Sequence, residues 1–152
     1  GEALLNSETA FYTPDVALAH ALMRTSARWN DAQTAAYHFY PAAYHFYSAL
    51  ATLDSPQTNR DSVCAVAHGA MLGLDQAATL VIACEFGHGE RLLLSGPGIP
   101  GRSTLLVAGI PQTFWQLRAQ TIRYPLGWDI FLVDGDQVVG LPRTTRILYT
   151  GV

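Results

Sequence analysis

From Tyr124 to Thr145 the chain reads YPLGWDIFLVDGDQVVGLPRTT, two large apolar runs split by a glycine-containing turn. This stretch constrains the fold more than any other. Trp128 to Val133 leaves no helical gap of polar residues, Asp134-Gly135 and Asp136-Gln137 interrupt it, and Val138, Val139 and Leu141 resume it. Such a pair of runs predicts a β-hairpin. Trp128, Ile130 and Leu132 would point one way and Asp129, Phe131 and Val133 the other, so both faces should be covered, with the hairpin at the centre of the sheet. Pro142 can donate no ladder hydrogen bond, and pairing should weaken there. Arg143-Thr144-Thr145-Arg146 is then abruptly polar and basic. It reads either as a site at the rim of the core or as a strand that simply surfaces.

At 152 residues the chain fits one domain, 1–152, which should bury roughly two-thirds of its unfolded surface. With 49% apolar and 14% charged residues it is globular in composition. Its apolar runs are too short for a membrane span, and no basic region leads a signal segment. Because the chain begins at Gly1 and not at Met, an N-terminal portion is expected to precede it. A net charge of −3 gives no general attraction to nucleic acid. Cys64 and Cys84 read as small buried hydrophobes in a reducing cytoplasm.

All nine basic residues are arginines, and lysine is absent. Within this chain that excludes a Schiff-base lysine for pyridoxal phosphate and a Walker-type phosphate lysine. Arginine remains available for planar, bidentate recognition of phosphate or carboxylate.

In chain order, Glu8 to Tyr12 predicts a short strand. Thr13-Pro14-Asp15 predicts a helix start, with a hydroxyl cap, proline at the first position and an acid in the first turn, running to about Ser26. Leu18 and Leu22 share one face of that helix, and His20 on it reads as a solvated or satisfied histidine and not as a ligand. Residues 35–41 read AAYHFYP and 42–48 AAYHFYS. One copy suits an aromatic strand; two in tandem are too short and too few for a solenoid. Residues 63–70 suit a short helix. Ala77 to Cys84 and Arg91 to Leu94 predict strands joined as a hairpin through Phe86-Gly87-His88-Gly89. Ser95 to Gly101 predicts a rigid loop, Thr104 to Ala108 a strand, and Pro111 to about Arg123 a helix. Phe114, Trp115, Leu117, Ala119 and Ile122 supply that helix's apolar side, with Arg118 and Arg123 toward its favourable C-terminal end. Ile147-Leu148-Tyr149 closes the chain. Strands with helices interleaved suggest a mixed sheet covered by helices.

Most catalytic motifs fail on inspection. Residues 96–101, GPGIPG, match G-x-G-x-x-G, yet Pro97 and Pro100 delete backbone donors that a dinucleotide site needs. No acid follows until Asp129, so a structural turn is the better account. His88-Gly89-Glu90 matches half of a zinc deaminase signature without its P-C-x-x-C half. Cys84 and His88 do not complete a tetrahedral metal site, and no G-x-S-x-G elbow exists.

Three ordered segments, LLLSGPGI (92–99), YPLGWDIFLVDG (124–135) and LPRTT (141–145), together resemble the PhnH family, subunits of the bacterial carbon–phosphorus lyase system. Upstream, ALLNSETAFYTPD and ATLVIAC are more loosely similar. The resemblance implies an α/β, three-layer α-β-α sandwich with a mixed sheet, similar to pyridoxal-phosphate-dependent transferases but without the cofactor. It implies a cytoplasmic protein that partners other lyase subunits in transferring ribose triphosphate from ATP to an alkylphosphonate. The family motif positions are Gly96, Gly98, Pro125, Leu126, Gly127, Asp129, Pro142, Arg143, Thr144 and Thr145. The sequence departs from the family pattern in the AAYHFY repeat and in lacking the usual N-terminal helix and Pro-Gly turn before Gly1.

Two functions of different class follow. The first is a lyase-complex subunit that is not independently catalytic and acts through subunit contacts, with a homodimer expected for the isolated chain. The second is an enzyme binding a phosphonate or nucleotide oxyanion on Arg143, Thr144 and Thr145. A weaker third is a metalloprotein using His38, His45 and His88, although the repeat itself generates the His38 to His45 spacing. The expected set is no cofactor, no metal, no nucleic acid and no membrane.

Overall fold

The computed structural model describes residues 4–40 and 77–149, Tyr149 by its backbone alone. The expectations for the second AAYHFY copy, His45, Cys64 and the helix over residues 63–70 lie outside those residues. Near the N-terminus, β1 (Ala10–Tyr12) leads into α1 (Val16–Met23) and the two-residue β2 (Arg28–Trp29). The first AAYHFY copy supplies β3 (Tyr37–Tyr40), and β4 (Thr79–Ala83) follows the undescribed stretch. Then come β5 (Glu85–Ser95), β6 (Ser103–Ala108), α2 (Gln112–Thr121), β7 (Asp129–Asp134), β8 (Gln137–Leu141) and β9 (Arg146–Tyr149).

Among the described residues the strands form two sheets. One is six-stranded and mixed, in the order β2-β1-β3-β4-β7-β8, parallel except for the β7–β8 hairpin. The other is antiparallel, β6-β5-β9. Their facing sides meet in the main core: Leu80 and Ile82 of β4, Ile130 and Leu132 of β7, and Leu92 and Leu94 of β5 pack with Phe114 and Trp115 of α2 and with Trp128. On the opposite face of the large sheet, Phe11 and Phe39 pack against Ala19 and Leu22 of α1. The alternation of Phe39 with His38 and Tyr40 along β3 follows from the period-two pleat.

The hairpin forms as the pattern requires, with Val133 opposite Val138 and Asp134 opposite Gln137 around a two-residue turn. Its position corrects the expectation, because among the described residues β8 is an edge strand and β7 lies next to it. Nor are both faces covered: Phe131 is 38% exposed while Ile130 and Leu132 are buried. Apolar content alone does not distinguish a central strand from one beside the edge. Pairing does stop at Leu141, before Pro142.

The predicted hairpin through Phe86-Gly87-His88-Gly89 is the larger correction. The chain passes from β4 through Cys84 into one long strand, β5, which joins the other sheet. Phe86-Gly87-His88-Gly89 is an irregularity within β5: both Phe86 and Glu90 face Val107 of β6. A bulge and a hairpin turn share the same glycine signal, so spacing could not separate them. The corner is held by the Asp134 carboxylate, which accepts from the Phe86 N–H at 2.9 Å.

In α1 the cap is Asp15, not Thr13. Its Oδ1 accepts from the Leu18 N–H at 2.7 Å, while the Thr13 hydroxyl accepts from the Asp15 N–H at 3.3 Å. The helix ends at Met23, short of Ser26, which adopts a left-handed φ of 67° and so cannot continue it. On α2, Ala119 is exposed, and the buried face is Phe114, Trp115 and Arg118. The arginine on that face leads to the site.

Candidate functional site

The segment between β8 and β9 carries the chain from the large sheet to the small one. It closes as a turn in which the Thr145 N–H donates to the Pro142 carbonyl at 2.8 Å. Arg118, 3% exposed, reaches this turn from α2. Its Nη1 donates to the Thr145 carbonyl and its Nη2 to the Pro142 carbonyl, each at 3.1 Å. One buried guanidinium therefore ties the helix to the crossing between the sheets. Burial pulls its pKa down to about 10, opposed by the charge of Asp129, and at neutral pH it stays cationic.

Arg143 is fixed from the other side. Asp129, at the start of β7, accepts from the Arg143 backbone N–H at 2.8 Å and from its Nε at 3.3 Å, both on Oδ1. Its Oδ2 accepts from Nη2 at 2.7 Å. The side-on fork is the strong geometry for this pair. Nη1 also reaches the Pro125 carbonyl at 3.5 Å. Burial opposes the charge on Asp129, but the Arg143 hydrogen bonds, its charge and that of Arg118 together hold the carboxyl below its ordinary range. The same hydrogen bonds raise Arg143.

Gly96 brings the third motif in. Its φ is 146°, and a Cβ there would lie 3.0 Å from the Thr144 carbonyl oxygen and 3.3 Å from the Thr145 Cα. Only a residue without a side chain lets the loop after β5 lie against this turn. The motifs around residues 96, 125–129 and 141–145, far apart in sequence, thus converge on one place.

Of the predicted residues, Gly96, Arg143, Thr144 and Thr145 line a cavity of about 720 Å³, together with Arg118, Tyr124, Arg146 and apolar neighbours. Pro125 and Asp129 stand behind Arg143, and Gly127 packs against Ile122. Gly98 has open space beside its Cα and is not in the lining. Thr145 is buried. Sequence reasoning had Arg118 as a companion of the helix dipole and missed its role. The available signal was its spacing: Phe114, Trp115 and Arg118 fall on one helical stripe, which places a cation on the apolar side.

Of the histidines proposed for a metal, the two among the described residues, His38 and His88, do not converge. His38 is buried in the sheet, its Nδ1 3.3 Å from the Tyr40 hydroxyl, while His88 is exposed and pairs with Glu85 at 3.1 Å. Among the described residues no group of three His, Cys, Asp or Glu side chains could hold a metal. His20 is exposed on α1, as expected. Cys84 is half-buried and free, and burial, with Asp134 adding to it, pushes its thiol up to about 11, so it is a poor nucleophile. No helix among the described residues is long and apolar enough to cross a membrane.

Against known proteins, the sequence model of the family described as bacterial phosphonate metabolism protein (PhnH) matches residues 2–148. HtxG of Stutzerimonas stutzeri, a protein named as a C-P lyase subunit, is 41% identical over 85 residues, 55% of this chain and 44% of that protein. The PhnH subunit of alpha-D-ribose 1-methylphosphonate 5-triphosphate synthase from Rhizobium meliloti (strain 1021) is 35% identical over 75 residues, 48% of this chain and 38% of that protein. The matched stretches take in less than half of either relative's length. A family match running from residue 2 to residue 148, over the same three motifs that converge at the cavity, establishes that the chain belongs to the PhnH family of bacterial phosphonate metabolism proteins.

Proposed function

We propose that this chain works as a subunit of the carbon–phosphorus lyase system in bacterial phosphonate catabolism, acting mainly through contacts with the other subunits. The observation that carries the reading is the family match over residues 2–148, and the names of both relatives agree with it. In this reading the chain supports the synthesis named for the Rhizobium protein, with ribose triphosphate passing from ATP to an alkylphosphonate, and is not catalytic alone. The chemistry of the cavity is in keeping: among the described residues its lining holds guanidinium, hydroxyl and apolar groups and no histidine or carboxylate. The turn containing Arg143, Thr144 and Thr145 and the loop with Gly96 and Gly98 serve as the contact region, with Pro125, Gly127 and Asp129 supporting it from behind, and the Asp129–Arg143 fork supports this by holding the turn in a fixed shape.

The finer structural reading belongs to the same proposal. The chain is one cytoplasmic domain with the three-layer α-β-α arrangement of pyridoxal-phosphate-dependent transferases and without their cofactor, and it is a homodimer when alone. The placement of α1 and α2 against opposite faces of the large sheet supports the layered arrangement. The test is reconstitution. A tagged chain should co-purify with the other lyase subunits, and ATP with methylphosphonate should turn over in that complex but not with the chain alone. Failure to co-purify overturns membership of the assembly, and robust turnover by the single chain overturns the non-catalytic role.

A further inference from the structure

The β8 strand pairs with β7 on one side, and among the described residues no strand pairs with its other side. Which backbone groups point outward follows from the ladder. The Val133 carbonyl turns toward Cys84 at the end of β4 and accepts from its N–H at 2.9 Å, so Val133 and Val138 face each other without exchanging hydrogen bonds. Val138, and Gly140 two residues on, therefore direct their N–H and C=O groups away from the sheet. Natural edge strands are blunted by charged residues, proline or a bulge. Within β8 there is none of these: its register with β7 is unbroken, and Pro142 lies beyond its end. The opposite edge of the same sheet, β2, is only two residues long and carries Arg28.

The side chains along this edge are apolar on both faces. Val139 and Leu141 adjoin the main core, while on the other face Val138 is 59% and Phe131 38% exposed. Gly140 lies under the Phe131 ring, whose nearest carbon is 3.5 Å from a Cβ built there, and leaves a notch beside it. The turn that opens the strand carries Asp134 and Asp136, and no basic residue lies between Asp134 and Leu141.

We infer that the open side of β8 takes up an extended segment of another polypeptide, added as an antiparallel strand with apolar alternate side chains and a basic C-terminal end that meets Asp134 and Asp136. The outward groups of Val138 and Gly140 supply the main-chain bonds, and the notch at Gly140 accepts a large apolar side chain next to Phe131. A second copy of β8 fits less well. Two five-residue strands paired edge to edge fall short of the roughly 1,000 Å² that a specific interface needs. The basic residue just past the end of β8, Arg143, is already forked to Asp129. This surface is separate from the turn around Arg143, and the inference does not rest on the lyase reading.

The experiment uses the purified chain and a labelled, C-terminally amidated peptide, VTIVTR. Two control peptides are VTPVTR, whose proline breaks the ladder, and VTIVTE, whose acidic end meets the acidic turn. VTIVTR should bind saturably and, by NMR amide exchange, protect Val138 and Gly140 while leaving the β2 amides unchanged. Both controls should bind about tenfold more weakly, as should the Val138→Pro chain, which loses an outward N–H that β7 does not use. Val138→Lys places a charge on the edge and gives a second variant where proline disturbs the fold. No saturable binding of VTIVTR, no protection of Val138 and Gly140, or equal binding by the parent and the folded variants overturns the inference. Equal affinity for VTIVTE overturns the basic end. Self-association of the chain that Val138→Pro abolishes would make a second copy the occupant and overturn it as well. Co-purification with the lyase subunits is a separate measurement, so the two readings fail independently.

Discussion

The Asp129 carboxylate takes hold of Arg143 at three nitrogens, the backbone N–H at 2.8 Å, Nε at 3.3 Å and Nη2 at 2.7 Å. The two residues are 14 apart in sequence, one at the start of the hairpin and the other just past its end. Their union closes the hairpin at its open end, where Pro142 cannot extend the ladder. A charge pair at an exposed surface would contribute little. This one is partly buried, bidentate and anchored through a backbone donor, so its removal leaves a desolvated guanidinium and an unanswered N–H.

Asp129→Ala should therefore destabilise the chain by about 2–4 kcal/mol. Asp129→Asn keeps an acceptor for the backbone N–H but not the charge, and should cost about half as much. Urea unfolding of the two variants measures both. If Asp129→Asn proved as damaging as Asp129→Ala, the backbone bond would contribute nothing.

Arg118 should be as hard to replace. Arg118→Met keeps the length and apolar stem of the side chain but leaves the carbonyls of Pro142 and Thr145 without their donor. We expect a loss of about 2–4 kcal/mol and faster proteolysis at the β8–β9 turn, while Arg123→Met on the exposed end of the same segment stays within about 0.5 kcal/mol. Limited proteolysis with mass analysis reads the difference directly. An Arg118→Met chain as resistant as the parent would show that the helix does not hold the turn.

What the sequence made legible was local. The β7–β8 turn follows from Gly135 between two apolar runs, α2 from Pro111 and the spacing of Phe114, Trp115 and Leu117, and the β3 strand from alternating aromatics. Partners distant in sequence were not legible. Nothing in the sequence IACEFGHGERLLL (82–94) says that β4 and β5 belong to different sheets, because a glycine bulge and a glycine turn look alike in one dimension. At the site, the polar residues after Pro142 stood out, but Arg118 did not. Its importance comes from which carbonyls it meets 24 and 27 residues away.

The bulge itself yields a paired test. Gly87 and Gly89 both have positive φ, 87° and 83°. A Cβ at Gly87 would meet nothing within 4 Å, whereas at Gly89 it would lie 2.6 Å from the Val107 carbonyl oxygen and 2.7 Å from the Ala108 Cα. Gly87→Ala should cost the left-handed conformation alone, about 1 kcal/mol. Gly89→Ala must also push apart β5 and β6, and should cost at least about 2–3 kcal/mol. Denaturation midpoints decide it, and equal losses would argue for a free hairpin turn at this position.

The buried His38 sets the acid limit of the fold. It lies fully inside the sheet between Tyr12 and Tyr40, with Nδ1 against the Tyr40 hydroxyl and Nε2 without a hydrogen-bond partner. Burial lowers its pKa from 6.5 to about 4. Between those values the unfolded chain binds a proton that the folded chain does not, so stability falls as pH drops from about 6.5 to about 4. Each pH unit is worth about 1.4 kcal/mol, which makes the full loss about 3 kcal/mol. Above 6.5 this contribution is flat, and Asp129, whose pKa is lowered, adds a separate loss only at more acidic pH. Urea unfolding at pH 4.5 and 7 should show the slope in the parent, and His38→Phe, which removes the titrating group, should flatten it across that window. A slope that survives the substitution would place the acid sensitivity elsewhere in the fold.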